Sequence, residues 1–283
     1  MTRRELLPAL TAVGLAASAS AQQNNAKHAG RLKQCVTNGV FGRGRELRDN
    51  VRDAARLGCY GYDLIGPKDW PLLKEFGLIP TMVPGFGGTI PDALNRKENH
   101  AAIEKLMQEG IDLCAKEEAP NLITFSGNRR GMSDEEGMDN CALFLNRVKT
   151  HAEDKGVNIC VELLNSKVDH HDYMCDHSRW GIELMKRVDS PRVKLLFDIY
   201  HMQIMEGDIV RTVTSNLQYI AHFHTGGNPG RHEIDDTQEL NYRVVANAIA
   251  NAGFTGYIAH EYSPAPGRDP LASLYQALDI CAV

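Results

Sequence analysis

The chain alternates between two hydrophobic rhythms. Short runs rich in β-branched and aromatic residues occupy 32–37 (LKQCVT), 59–65 (CYGYDLI), 78–83 (LIPTMV) and 121–126 (NLITFS). Four more follow at 158–164 (NICVELL), 193–198 (VKLLFD), 219–225 (YIAHFHT) and 256–262 (GYIAHEY). Between them lie longer stretches with apolar residues at helical spacing, among them LRDNVRDAARLG (47–58), HAAIEKLMQEGIDLCAKEE (100–118), GMDNCALFLNRVKTHAEDKG (137–156) and LNYRVVANAIANAG (240–253). Several of these end in glycine, the usual helix stop. Strict alternation predicts parallel strands joined by helical crossovers. Eight such units fit an α/β fold of one domain, a closed (β/α)8 TIM barrel over residues 30–283. An open doubly wound sheet is the competing arrangement. It would place a Gly-rich phosphate turn after the first strand, and GRGRE at 42–46 only faintly echoes one.

A barrel makes a geometric demand, because chemistry in such folds gathers at the C-terminal ends of the strands. Strand five closes with Glu162 set among Val161, Leu163 and Leu164, and strand six closes on Asp198. Strand seven carries His222 and His224, two residues apart and therefore on one face; strand eight places Glu261 at its tip. Any one of these alone could be a helix cap or an ion-pair partner. Four on consecutive strands predict a shared cation, since several isolated buried carboxylates would cost many kcal/mol. Glu162, Asp198, His224 and Glu261 make a mixed oxygen and nitrogen shell for one divalent ion: Mn²⁺ or Mg²⁺, with Co²⁺ or Zn²⁺ as further candidates. His222, one step deeper, is expected to orient a ligand, and His260 to point outward as a structural residue.

Composition narrows the partner. The formal net charge is −5, which disfavours nucleic acid and leaves a small molecule. The first residues form a separate segment: Arg3-Arg4, an apolar stretch from Leu6 to Ala17, and Ala19-Ser20-Ala21. That layout predicts a twin-arginine-type export signal over 1–21, cleaved to give an exported protein. The stretch is too short for a membrane span, and no other segment could insert stably. The 7 cysteines form no C-x-x-C pair and lie mostly in apolar runs, so they are expected to be buried thiols rather than a disulfide framework.

With these residues in place, the sequence resembles the hydroxypyruvate isomerase group of the xylose isomerase-like barrels. The resemblance is carried by VELLN (161–165), FDIYHMQIMEGD (197–208), NPGRHE (228–233) with ELNY (239–242), and HEY (260–262). It implies a divalent metal at Glu162, Asp198, His224 and Glu261, and proton transfer by Glu162 and Glu261 as acid and base. It also implies that His201 and Arg231 touch substrate oxygens, and that the chain forms dimers or tetramers. Arg231 has the fork to grip a carboxylate, which favours a hydroxy-keto acid over a neutral sugar. Asn165, three residues after Glu162, and Asn128, after strand four, are further substrate-binding candidates or helix caps.

Two positions depart from the pattern. His224 stands where hydroxypyruvate isomerases usually carry Gln, as in the related ketose 3-epimerases, and Asp63 replaces the Glu that often ends strand two. The expected activity is a metal-dependent isomerisation that moves a carbonyl between adjacent carbons through an enediolate. The rivals are a ketose 3-epimerase, a metal-dependent endonuclease disfavoured by the acidic charge, and an exported barrel that binds metal or sugar without turnover.

Overall fold

A computed structural model describes residues 27–283, so the export segment expected at 1–21 lies outside the described residues. Eight strands, β1 (Lys33–Val36), β2 (Gly61–Asp63), β3 (Ile79–Gly87), β4 (Asn121–Thr124), β5 (Asn158–Leu163), β6 (Val193–Asp198), β7 (Ile220–Thr225) and β8 (Tyr257–His260), close into one barrel in chain order. Every pair is parallel, and closure comes from Cys35 of β1 opposite Ala259 of β8. The helices alternate with the strands: α1 (Leu47–Arg56), α2 (Trp70–Glu75), α3 (Lys97–Lys116), α4 (Asp134–Lys155) and α5 (Ser178–Val188) follow β1 to β5. Two short helices, α6 (Ile199–Met205) and α7 (Ile209–Asn216), share the crossover after β6; α8 (Tyr242–Asn251) and α9 (Pro270–Ile280) follow β7 and β8. The (β/α)8 barrel is the expected fold. No helix among the described residues is long and apolar enough to cross a membrane.

The residues explain the local structure. Helix α4 opens on Ser133, whose hydroxyl accepts from the Glu136 backbone N–H at 3.2 Å, and it stops at Gly156 with φ of 72°. Strand β3 runs four residues beyond its predicted end at Val83. Pro84 and Gly85 read as a turn in sequence, but Gly87 rejoins the sheet opposite Thr124. Only glycine fits there, because a Cβ would lie 2.4 Å from the Ile123 carbonyl oxygen.

Strand side chains alternate between two cores. Val161, Leu163, Phe197 and Phe223 face the helices and join the main hydrophobic layer. Met82, Ile123, Cys160 and Leu196 fill the barrel lumen as a separate cluster. Two residues further along the same strands, Glu162 and Asp198 also point inward. The lumen is therefore plugged with apolar side chains immediately below its charged mouth, which removes water from beneath those carboxylates.

Candidate active site

At that mouth one histidine nitrogen faces three carboxylates. Nδ1 of His224 lies 2.6 Å from Glu261 Oε2, 3.5 Å from Glu162 Oε1 and 3.9 Å from Asp198 Oδ2. Ligand atoms of these four residues all lie within 4.8 Å of one another. Asp198 does two jobs. It caps α6 through Oδ1, which accepts from the His201 backbone N–H at 3.2 Å, and it leaves Oδ2 for the site. The helix-cap and ligand readings of this residue are thus compatible. Glu261 is the first residue past β8, held by its N–H on the Thr225 carbonyl at 2.9 Å.

Sequence reasoning undervalues Asp63. Its Oδ2 lies 3.0 Å from Nε2 of His224 and 2.6 Å from Nε2 of His222, and its Oδ1 accepts from the Thr81 hydroxyl. Nε2 of His224 therefore donates to Asp63, which fixes the tautomer and turns Nδ1 toward the carboxylates. Nδ1 is fully buried and satisfies no hydrogen bond, although carboxylate oxygen is within 2.6 Å. So close an approach of nitrogen to carboxylate oxygen needs positive charge between them, either a proton on Nδ1 or a cation shared by all four groups. Ligand atoms around one ion with bonds of about 2.1 Å lie no more than roughly 4.2 Å apart, so small adjustments bring these four into range. The donor set fits a divalent metal.

The electrostatics agree. Burial alone would lower the pKa of His224, but Glu261, Asp63 and Glu162 outweigh it and hold the group well above the ordinary histidine value. The site thus calls for positive charge at Nδ1. Burial pushes Glu162 up, helped by Glu261 and Asp198 and opposed by His224. Glu261 goes the other way: the charges of His224 and Arg231 overcome its burial and bring it down. Two carboxylates at one site are driven toward opposite protonation states, as acid–base pairs require.

Arg231 lines both cavities of the site. Its guanidinium is not free for a substrate carboxylate but lies 2.5 Å from Asp198 Oδ2 and 2.7 Å from Glu261 Oε2, stacked over the Tyr200 ring at 5.0 Å. The physical reason is the density of negative charge, which draws in the nearest cationic fork. Its backbone is held at φ of 54°, and Leu64, which also lines the site, at 56°; non-glycine residues rarely adopt this region.

His201 sits between two donors. Asn165 Nδ2 lies 2.6 Å from its Nδ1, and Arg231 Nη1 lies 2.9 Å from its Nε2. Burial, reinforced by Arg231, keeps His201 well below its ordinary value and so neutral. Asn165 is itself fixed, donating to Asp169 and accepting from the Val168 and Asp169 N–H groups. Nδ1 is thus fixed as the acceptor of the Asn165 amide, and Nε2 faces the site beside the Arg231 guanidinium. Asn165 is a turn-former and brace for His201, absent from the walls of the site cavities.

Asn128 is a correction. It lies beyond the end of β4, bridged to Tyr173, with its carbonyl accepting from Asn95 at 2.8 Å. Phe125 takes the cavity-facing place instead, because Asn128 stands four residues past the strand end. The cavity over Glu162 and Glu261 measures about 270 Å³ and also receives His170, His201 and Arg231. His170 carried no expectation. His222, expected to orient a ligand, shares Asp63 Oδ2 with His224. His260 faces away, between Gln34 at 3.0 Å and Thr225 at 2.9 Å.

Comparison with known proteins agrees with this picture. The family profile of xylose isomerase-like TIM barrels matches residues 71–279. The 2-oxo-tetronate isomerase of Cupriavidus necator is 34% identical over 113 residues, covering 40% of this chain and 43% of the relative. The hydroxypyruvate isomerase of Escherichia coli is 34% identical over 105 residues, covering 36% and 40%. The chain thus spans less than half the length of either relative. A Brucella melitensis structure described as an AP endonuclease of family 2 superposes with a TM-score of 0.76 over 86% of this chain and 96% of its own, at 21% identity. That likeness speaks for the fold alone. The chain belongs to the xylose isomerase-like TIM barrel family.

Proposed function

We propose that this protein is a metal-dependent isomerase that moves a carbonyl between adjacent carbons of a short hydroxy-keto compound. Hydroxypyruvate, giving 2-hydroxy-3-oxopropanoate, is the favoured substrate, and 2-oxo-tetronate is close behind. The observation that carries the reading is the convergence of Glu162, Asp198, His224 and Glu261 within 4.8 Å at the barrel mouth. The names of the two isomerase relatives support the substrate class.

Moving the carbonyl requires a proton to leave one carbon and another to reach its neighbour. Glu261, held ionised by its cationic neighbours, is suited to take the first proton. Glu162, whose proton burial stabilises, is suited to supply the second. A divalent ion, when bound by the four residues, supplies Lewis-acid stabilisation of the developing enediolate charge. An oxygen-rich donor set favours Mn²⁺ or Mg²⁺ over softer metals. Once Arg231 has moved onto the substrate, His201, which lines the same cavity, can donate from Nε2 to an enediolate oxygen. Arg231 trades its Nη2 contacts with Asp198 and Glu261 for the carboxylate of an acid substrate, which its fork can grip in a bidentate pair.

The test is turnover with added Mn²⁺ on hydroxypyruvate, 2-oxo-tetronate and a ketohexose, with product identification. A shifted carbonyl supports the isomerase. A C3 epimer of the ketose, with the acids untouched, would support a ketose 3-epimerase, the reading favoured by His224 in place of Gln.

Export belongs to the same proposal. Residues 1–21 have the twin-arginine layout, and N-terminal sequencing of protein from the exporting cell tests it. A mature chain starting near Gln22 supports export.

A further inference from the structure

The cavity above the glutamates has two unlike faces. One is apolar, built from Pro84, Ile90, Ile123, Phe125 and Leu164. The other is polar, but two of its members are already committed: His201 to Asn165, and Arg231 to Asp198 and Glu261. His170 is different. Its imidazole lines the cavity, half-buried, and makes no hydrogen bond among the described residues.

The ring is nevertheless held in place. It belongs to the loop between β5 and α5, where its N–H donates to the Asn165 carbonyl at 3.1 Å and its carbonyl accepts from Tyr173 at 3.0 Å. Its face packs edge-on to His201 with ring centroids 5.2 Å apart. An imidazole positioned this firmly, opening on a cavity and lacking a partner, is built to meet a ligand atom.

We infer that His170 is a substrate-contacting residue that sets specificity, donating beside Arg231 to the carboxylate end of a short hydroxy-keto acid against the apolar wall of Ile90, Phe125 and Leu164. The inference rests on the isomerase reading above. Its consequence is selection by chain chemistry. A ketohexose carries a hydroxyl on each carbon beyond the reacting pair, and this wall offers those hydroxyls no partner. Hydroxypyruvate carries only its carboxylate beyond the reacting pair, and 2-oxo-tetronate adds a single hydroxyl; His170 and Arg231 together receive the carboxylate. An apolar surface discriminates against added hydroxyls by about 100-fold, so the preference should be of that order.

The experiment compares wild type with His170→Phe, His170→Gln and Ile90→Asn, each loaded with Mn²⁺. Steady-state kinetics are run on hydroxypyruvate, 2-oxo-tetronate and D-fructose, and calorimetry reads binding of the same compounds. Wild type should favour the acids by about 100-fold in kcat/KM. His170→Phe should raise KM for the acids about tenfold or more with kcat little changed, and His170→Gln should recover most of the loss. Ile90→Asn should narrow the preference. An unchanged KM in His170→Phe, or equal use of D-fructose by wild type, overturns the assignment. Binding in the expected order without turnover of any compound would sink the isomerase reading and leave His170 standing. Reversed binding order removes His170 from the role, and failure of all three compounds to bind overturns both.

Discussion

Asp63 Oδ2 lies 3.0 Å from Nε2 of His224, and these are the two residues at which the resemblance to the hydroxypyruvate isomerase group breaks down. A histidine ligand needs its far nitrogen engaged to present the near one, and an aspartate on β2 does so across the lumen. Asp63→Asn should leave the barrel folded but weaken Mn²⁺ affinity by about 10–100-fold in chelator competition. Undiminished affinity would remove Asp63 from the site.

Arg231 holds Oδ2 of Asp198 and Oε2 of Glu261, the two oxygens that also lie nearest His224 Nδ1 on those residues, so a metal ion bound as proposed would compete with it for them. Arg231→Met should therefore bind Mn²⁺ more tightly, by about three- to tenfold, because a like charge leaves. The same variant should raise KM for an acid substrate by about 10–100-fold, the worth of a lost charge-assisted pair. Calorimetry and steady-state kinetics read the two effects separately. Weaker Mn²⁺ binding together with a raised KM contradicts this assignment.

Glu162→Gln keeps the shape of a buried side chain and removes its transferable proton. Isomerisation should fall by about 10²–10⁴-fold, with thermal stability close to wild type. Near-normal turnover would show that another group carries the proton.

The thiols give a check on the core. All 7 cysteines are free and buried, and burial pushes Cys59, Cys114 and Cys281 up to about 12. A thiol reagent should find almost none in the native protein and all 7 in denaturant. Rapid labelling without denaturant would contradict the packing.

Much of the barrel and most of its charged mouth are legible in the amino-acid order, for specific reasons. Glu162 and Asp198 stand out because a charge that ends an apolar strand breaks the local pattern, and chain order places those strands side by side. Asp63 also ends a strand, but its meaning depends on a partner on β7, across the barrel, which no local rhythm reports. Arg231 is recognisable as a site residue, whereas its grip on Asp198 and Glu261 depends on charge density in three dimensions. Asn128 misleads because β4 ends four residues before it. His170 leaves no signal, since a loop histidine beside His171 looks like any solvated pair.

If one divalent ion held by β5 to β8 is required for proton transfer at carbon, hydrogen exchange from hydroxypyruvate in D₂O reports it when followed before chelation, after chelation, and again once Mn²⁺ is restored. Exchange and carbonyl migration should vanish with the metal and return with it. Exchange at an undiminished rate in the chelated protein would contradict the claim.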